Sequence, residues 1–207
     1  EKLVYGGLTK VFAGIVIAPI GGLIVGVLLT GLIITVFANR KPAPVNKIFG
    51  RLQIISSAWF ALTHGANDGQ KTMGIIALIL FSAGMIPELD IPLWVIFAAA
   101  AAMGLGTFFG GYKVIKTLGV KITRLKPYQG FAAETGGGIM LAAFAVLGIP
   151  ASTTHAITGT IMGSGAARRK RAVRWKVSRQ IVFSWIITIP GAAGMGIGFT
   201  YLIHLFV

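Results

Sequence analysis

The sequence contains no cysteine and only five acidic residues in 207 positions. The first absence excludes a disulfide framework and thiolate metal sites, while leaving the redox compartment open. Charged residues of both signs together make up 12% of the chain, too few to clothe a water-facing surface. No Ser/His/Asp arrangement stands at a usable spacing and no histidine pair shares a helix face, so neither nucleophilic catalysis nor a metal enzyme is indicated. No Gly-Lys-Ser/Thr follows a strand-like segment, which excludes a nucleotide phosphate loop.

What the chain does have is apolar surface: 55% hydrophobic residues and a mean hydropathy of +0.83. That composition suits lipid and excludes intrinsic disorder. The net charge of +14 would suggest nucleic acid in a soluble domain. Here every basic residue except Lys2, Lys10 and Lys71 falls into one of three clusters: Arg40 to Arg51, Lys113 to Lys126, and Arg168 to Arg179. Clusters between long uncharged runs set membrane topology and leave no continuous basic face, so no nucleic-acid partner is expected.

The uncharged runs are Val11 to Asn39, Leu52 to Asn67, Thr72 to Pro87, Ile91 to Tyr112, Thr135 to Ala167 and Gln180 to Val207. The first is too long for a cleavable signal peptide. At full helical rise it spans about 44 Å against a hydrocarbon core of about 30 Å, so a tilt or a bend at Pro19 is expected. The positive-inside rule places all three basic clusters in the cytoplasm of a multi-pass inner-membrane protein. The acidic loop Glu88 to Asp90 then marks the opposite face. Leu52 to Ile86 is longer than one span and shorter than two, with the polar stretch Gly65 to Lys71 in its middle, which predicts a broken helix. Pro127 to Ala167 must enter and return on the same side. Its second arm, Ala156 to Ala167, reaches only roughly 18 Å, so a re-entrant hairpin with its tip at Gly148 to His155 is expected. Gln180 to Val207 crosses outward, placing both termini outside. The fold class is thus an all-α transmembrane bundle with one broken helix and one re-entrant helical hairpin.

Polar breaks at membrane depth persist around a cavity or a buried site, because unpaired backbone in hydrocarbon is costly. In the first break, Asn67, Asp68, Gln70 and Thr72 offer hard oxygens suited to Na⁺ or a proton, with Asp68 supplying the charge. In the second, Ser152, Thr153 and Thr154 can cap a half-helix and direct N–H groups and hydroxyls at an anion. A cation site beside an anion site implies co-transport. Plainer readings stand beside this one: Asn-Asp-Gly is a common turn, and Ser-Thr-Thr after proline is an ordinary cap. Lys71 meets substrate, pairs with Asp68 or snorkels to the interface. His64 and His155 read as hydrogen-bonded packing residues rather than proton carriers, and Glu134 as the partner of a basic residue near the cytoplasmic face in preference to a proton-coupling group. The Gly136 to Gly138 run allows close helix packing.

Thr63 to Gly74, reading THGANDGQKTMG, and Gly148 to His155, reading GIPASTTH, resemble the two hallmark motifs of the inorganic phosphate transporter (PiT) family. Gly110-Gly111-Tyr112 with Leu118-Gly119, Ala132-Ala133-Glu134-Thr135 and Ala172-Val173-Arg174-Trp175 resemble it too, in the expected order. The resemblance implies a secondary transporter that moves inorganic phosphate with Na⁺ or H⁺ by alternating access, and needs no other cofactor. By that likeness Asp68, Asn67 and Thr72 serve the cation, with Asp68 and Asn67 as the metal ligands, while Ser152, Thr153, Thr154, Asn67 and Gln70 serve phosphate. Family members carry two inverted halves with the site between them, whereas this sequence has one copy of each motif. Residues 1–207 therefore read as a single transmembrane domain, the second repeat of an inverted-repeat transporter. A homologous N-terminal half, in the same chain or separate, is the expected partner, together with the lipid bilayer and further copies in a homo-oligomer. The rival readings are a sulfate or other oxyanion permease of the same fold, a non-transporting regulatory half, and an ion channel.

Overall fold

A computed structural model describes residues 5–206. Among the described residues there are six α-helices: α1 (Tyr5–Val36), α2 (Pro42–Ser82), α3 (Leu93–Lys116), α4 (Pro127–Val146), α5 (Thr153–Arg168) and α6 (Trp175–Phe206). A π-helical stretch, Thr117–Ile122, prolongs α3, and no strand occurs among the described residues. By contact the chain forms two compact units, Glu1–Val173 and Arg174–Val207. The second contains α6, with Pro190 inside it.

Local chemistry accounts for the helix ends. Proline occupies the first turn of α2 and of α4, where its missing N–H costs nothing. At the start of α4 the Gln129 side chain accepts the Lys126 N–H at 3.0 Å. Helices α2 and α4 both end in glycines with positive φ, Gly84 at 69° and Gly148 at 60°. In each case the following residue donates back to the carbonyl five positions earlier, Met85 to Leu80 and Ile149 to Phe144, both at 2.9 Å. These are Schellman closures, which only glycine adopts without strain. The second one turns the chain from α4 into α5.

Helices α1 and α5 pack backbone to backbone through reciprocal glycines. A Cβ on Gly22 or Gly26 of α1 would strike the carbonyls of Ala156 or Thr160, and one on Gly159 or Gly163 of α5 would strike those of Pro19 or Leu23. Two small residues four apart on each helix give the close crossing that lipid-embedded helices use. On α4, Gly136 faces Val25 and Leu29 of α1, Gly137 faces Phe60 of α2 and Ile157 of α5, and Gly138 faces Trp59 of α2. The three-glycine run thus lets one helix lie against three neighbours. The core between them is Ala18, Met140, Leu141, Phe144, Ala151 and Ala156.

Outward faces are apolar. Phe12, Val16, Ile20, Ile24 and Leu28 of α1 and Leu93, Phe97, Phe108 and Phe109 of α3 are all exposed, a surface suited to lipid rather than water. Three helical stretches among the described residues are long and apolar enough to cross a membrane: Gly6–Val36, Leu93–Ile122 and Trp175–His204.

One sequence expectation is overturned here. Helix α2 is not broken at Gly65 to Lys71; it runs uninterrupted for 41 residues. The polar side chains in its middle find partners on α4, on α5 and in the turn between them, so the main chain need not unwind to satisfy them. The α4–α5 hairpin does form, and α5 has 16 residues, about 24 Å of helix. Helix α1 likewise continues through Pro19.

Candidate functional site

The site forms where the middle of α2 meets the start of α5. Asp68 is its centre. Its Oδ2 accepts a hydrogen bond from Thr153 Oγ1 at 3.0 Å, and its Oδ1 accepts one from Lys71 Nζ at 2.9 Å. The Lys71 ammonium also donates to the Ala151 carbonyl at 2.8 Å. His64, one helical turn before Asp68, brings Nδ1 to 3.5 Å from Oδ2 and stacks on Phe60 at 6.0 Å between ring centroids. Helical spacing explains the grouping: residues 64, 68 and 71 lie on one face of α2 because their separations are four and three. Thr153 is buried, whereas the Asp68 side chain is 29% and the Lys71 side chain 45% exposed, so the pair opens on one side.

The start of α5 presents groups that favour negative charge. Ser152 caps it, its hydroxyl accepting the His155 N–H at 3.4 Å. The first-turn N–H groups carry the positive end of the helix dipole. Asp68 takes its bond from the hydroxyl of the first helical residue, so one carboxylate and one helix N-terminus share the same few ångströms. Behind them the His155 ring is hydrogen-bonded to the backbone of Ile15 on α1. Ile15 is four residues before Pro19, which has no N–H to give back. The bond thus satisfies a carbonyl that the proline leaves open and ties α1 to α5.

The other expected site residues divide. Asn67 is buried and its Nδ2 donates to the carbonyls of Thr63, at 2.9 Å, and Leu141, at 3.4 Å. Its amide nitrogen therefore latches α2 to α4. Thr72 returns its hydroxyl to the Asp68 carbonyl at 3.4 Å. Gln70 is exposed and sits about 200° around α2 from Asp68, so the fold does not bring it to the pair. Thr154 is exposed as well, next to Thr153 but outside the carboxylate contact. No group of three His, Cys, Asp or Glu side chains gathers among the described residues; a cation here would rest on one carboxylate plus hydroxyl and carbonyl oxygens.

A second polar cluster corrects another expectation. Glu134 of α4 pairs with no Lys or Arg among the described residues. Its carboxylate is held by α2: Gln53 Nε2 at 3.3 Å on Oε1, with Ser56 Oγ at 2.6 Å and Ser57 Oγ at 3.1 Å on Oε2. Gly130 clears space for Gln53 to reach it. Residues 53, 56 and 57 share a helix face by the same three-and-four spacing that joins 64, 68 and 71, but sequence reading offered only basic residues as partners. The Ala151 carbonyl was missed for a different reason: a main-chain group has no residue type to read.

Residues 35–196 match the model of the phosphate transporter family. The chain is 49% identical over 194 residues to a protein of Rhizobium meliloti described as a probable low-affinity inorganic phosphate transporter, covering 93% of this chain and 58% of that one. A protein of Bacillus subtilis with the same description is 39% identical, again over 93% and 58% of the two chains. Among solved structures, the sodium-dependent phosphate transporter is similar with a TM-score of 0.63 and 26% identity, over 88% of this chain and 56% of that one. The chain spans little more than half the length of these relatives.

Proposed function

The chain belongs to the phosphate transporter family, and from that premise we propose that it forms one half of a symporter moving inorganic phosphate across the inner membrane together with Na⁺ or H⁺. The observation that carries this reading is the contact between Asp68 and Thr153. It unites a carboxylate suited to a cation with a capped helix start suited to an oxyanion. Asp68 serves the cation. The Thr153 hydroxyl, with Ser152, Thr154 and the free N–H groups of α5, serves phosphate. Placing the two charges side by side lets each offset the other's desolvation, so neither binds well alone, and that is the physical basis of coupling.

The similar solved structure is of a sodium-dependent phosphate transporter, which favours Na⁺ as the coupling ion. The single copy of each motif and the partial coverage of the relatives favour a second, homologous half that completes the pocket. The two halves then move by alternating access, with the α4–α5 hairpin re-entering the membrane from the side of the basic clusters.

The test is phosphate uptake by the full-length protein in liposomes, with Na⁺ and pH gradients imposed separately and sulfate added as competitor. Uptake driven by one of the two gradients and resistant to sulfate supports the reading. Uptake blocked equally by sulfate redirects it to a general oxyanion permease, and passive, unsaturable flux to a channel.

A further inference from the structure

We propose that the Lys71 ammonium is a resident, tethered competitor for the cation site on Asp68, which a free coupling cation must displace in order to bind. The inference rests on the reading of Asp68 as that site. Lys71 stands apart from the three basic clusters, so topology does not explain it. Its Nζ lies 2.9 Å from Asp68 Oδ1 and 2.8 Å from the Ala151 carbonyl oxygen. A carboxylate oxygen and a main-chain carbonyl are the hard ligands that a monovalent metal cation takes. An ammonium is a compact point charge of the same sign, so the two cannot share these oxygens without strong repulsion.

The other carboxylate oxygen already has neighbours. Oδ2 is engaged by the Thr153 hydroxyl at 3.0 Å, with His64 Nδ1 at 3.5 Å. What makes displacement feasible is the lysine itself: its stem is flexible and its side chain is 45% exposed, so the head can withdraw to water when a free cation arrives. Withdrawal also breaks the bond to the Ala151 carbonyl, the point where Lys71 ties α2 to the turn that carries Ser152 and Thr153. Exchange of ammonium for cation thus changes how the anion-binding end of α5 is held. Cation occupancy is passed to the phosphate site through one side chain.

The experiment measures Na⁺-dependent thermal stabilisation of the purified full-length protein, wild type against Lys71→Gln, Lys71→Arg and the double variant Asp68→Asn/Lys71→Gln. Stabilisation is read directly, so a variant that no longer transports is still informative. Removing the competitor should lower the half-stabilising Na⁺ concentration at least tenfold in Lys71→Gln. Lys71→Arg should stay near wild type, and the double variant should lose the effect. An unchanged or higher half-point in Lys71→Gln, or no Na⁺ response in either it or the wild type, overturns the proposal. The Asp68 reading is tested separately by Asp68→Asn alone: if its cation dependence equals wild type, the site assignment itself fails.

Discussion

The hydroxyl of Thr153 donates to Asp68 Oδ2 at 3.0 Å across 85 positions of sequence. That bond joins the two motifs which separately suggest a cation and an anion, and it spans the joint between α2 and α5. The sequence places the residues in two distant segments; the contact brings them together.

Asp68→Asn keeps the shape of the side chain and removes its charge. Cation-driven phosphate uptake by the full-length protein should fall to background, because a neutral amide oxygen holds a cation far more weakly than a carboxylate. Uptake at the wild-type rate with unchanged cation dependence would remove Asp68 from the mechanism.

Thr153→Val removes the hydroxyl and preserves the β-branched volume. A hydrogen bond to a charged group contributes about 1.5–3 kcal/mol, so the apparent phosphate KM should rise roughly tenfold or more. Ser152→Ala instead removes the cap of α5 and should lower stability by about 1 kcal/mol. Uptake kinetics alongside thermal melts separate the two effects. Equal effects of both changes on KM and on melting would mean that the segment is only a helix start.

Gly163→Ala places a methyl group against the Leu23 carbonyl, and Gly22→Ala one against that of Ala156. Neither backbone can yield cheaply, so each should destabilise the protein by about 1–3 kcal/mol. Gly31→Ala, which meets nothing within 4 Å, should be neutral or stabilising by up to about 1 kcal/mol. Melting of the three variants in detergent gives the comparison. If Gly163→Ala and Gly31→Ala melt alike, helices α1 and α5 are not in backbone contact.

Glu134→Ala removes the acceptor of Gln53 and Ser56 on α2, whereas the Ser57 hydroxyl keeps its 2.7 Å bond to the Gln53 carbonyl. The Ser56 hydroxyl is left buried with only its bond to the Gln53 carbonyl, at 3.1 Å. A loss of about 1–3 kcal/mol is expected, most of it recovered in Glu134→Gln, whose carbonyl still accepts. Similar melting of Glu134→Ala and wild type would show that the cluster does not hold α2 to α4.

Much of this was legible from one dimension. Runs of uncharged residues mark helices because only helices satisfy the backbone within a single segment in lipid. The hairpin was readable from Gly148-Ile149-Pro150 and the short arm behind it. The break in α2 was misread: a polar stretch within an apolar run resembles an unwound segment when its partners are out of view. Glu134 was misassigned for the same reason, since Gln53, Ser56 and Ser57 become its neighbours only after α2 packs on α4.

Sequence alone therefore determined the class of solvent, the helices and the chemical types gathered in each motif, because those follow from composition and local spacing. Tertiary structure alone decided which groups meet: Thr153 and Lys71 on Asp68, Asn67 on Leu141, His155 on Ile15. Reciprocal glycines bring α1 and α5 close, and that packing fixes where the start of α5 stands. Charge, distance and hydrogen-bond partner are properties of the packed chain, so what a carboxylate at position 68 can hold was set by the helices around it.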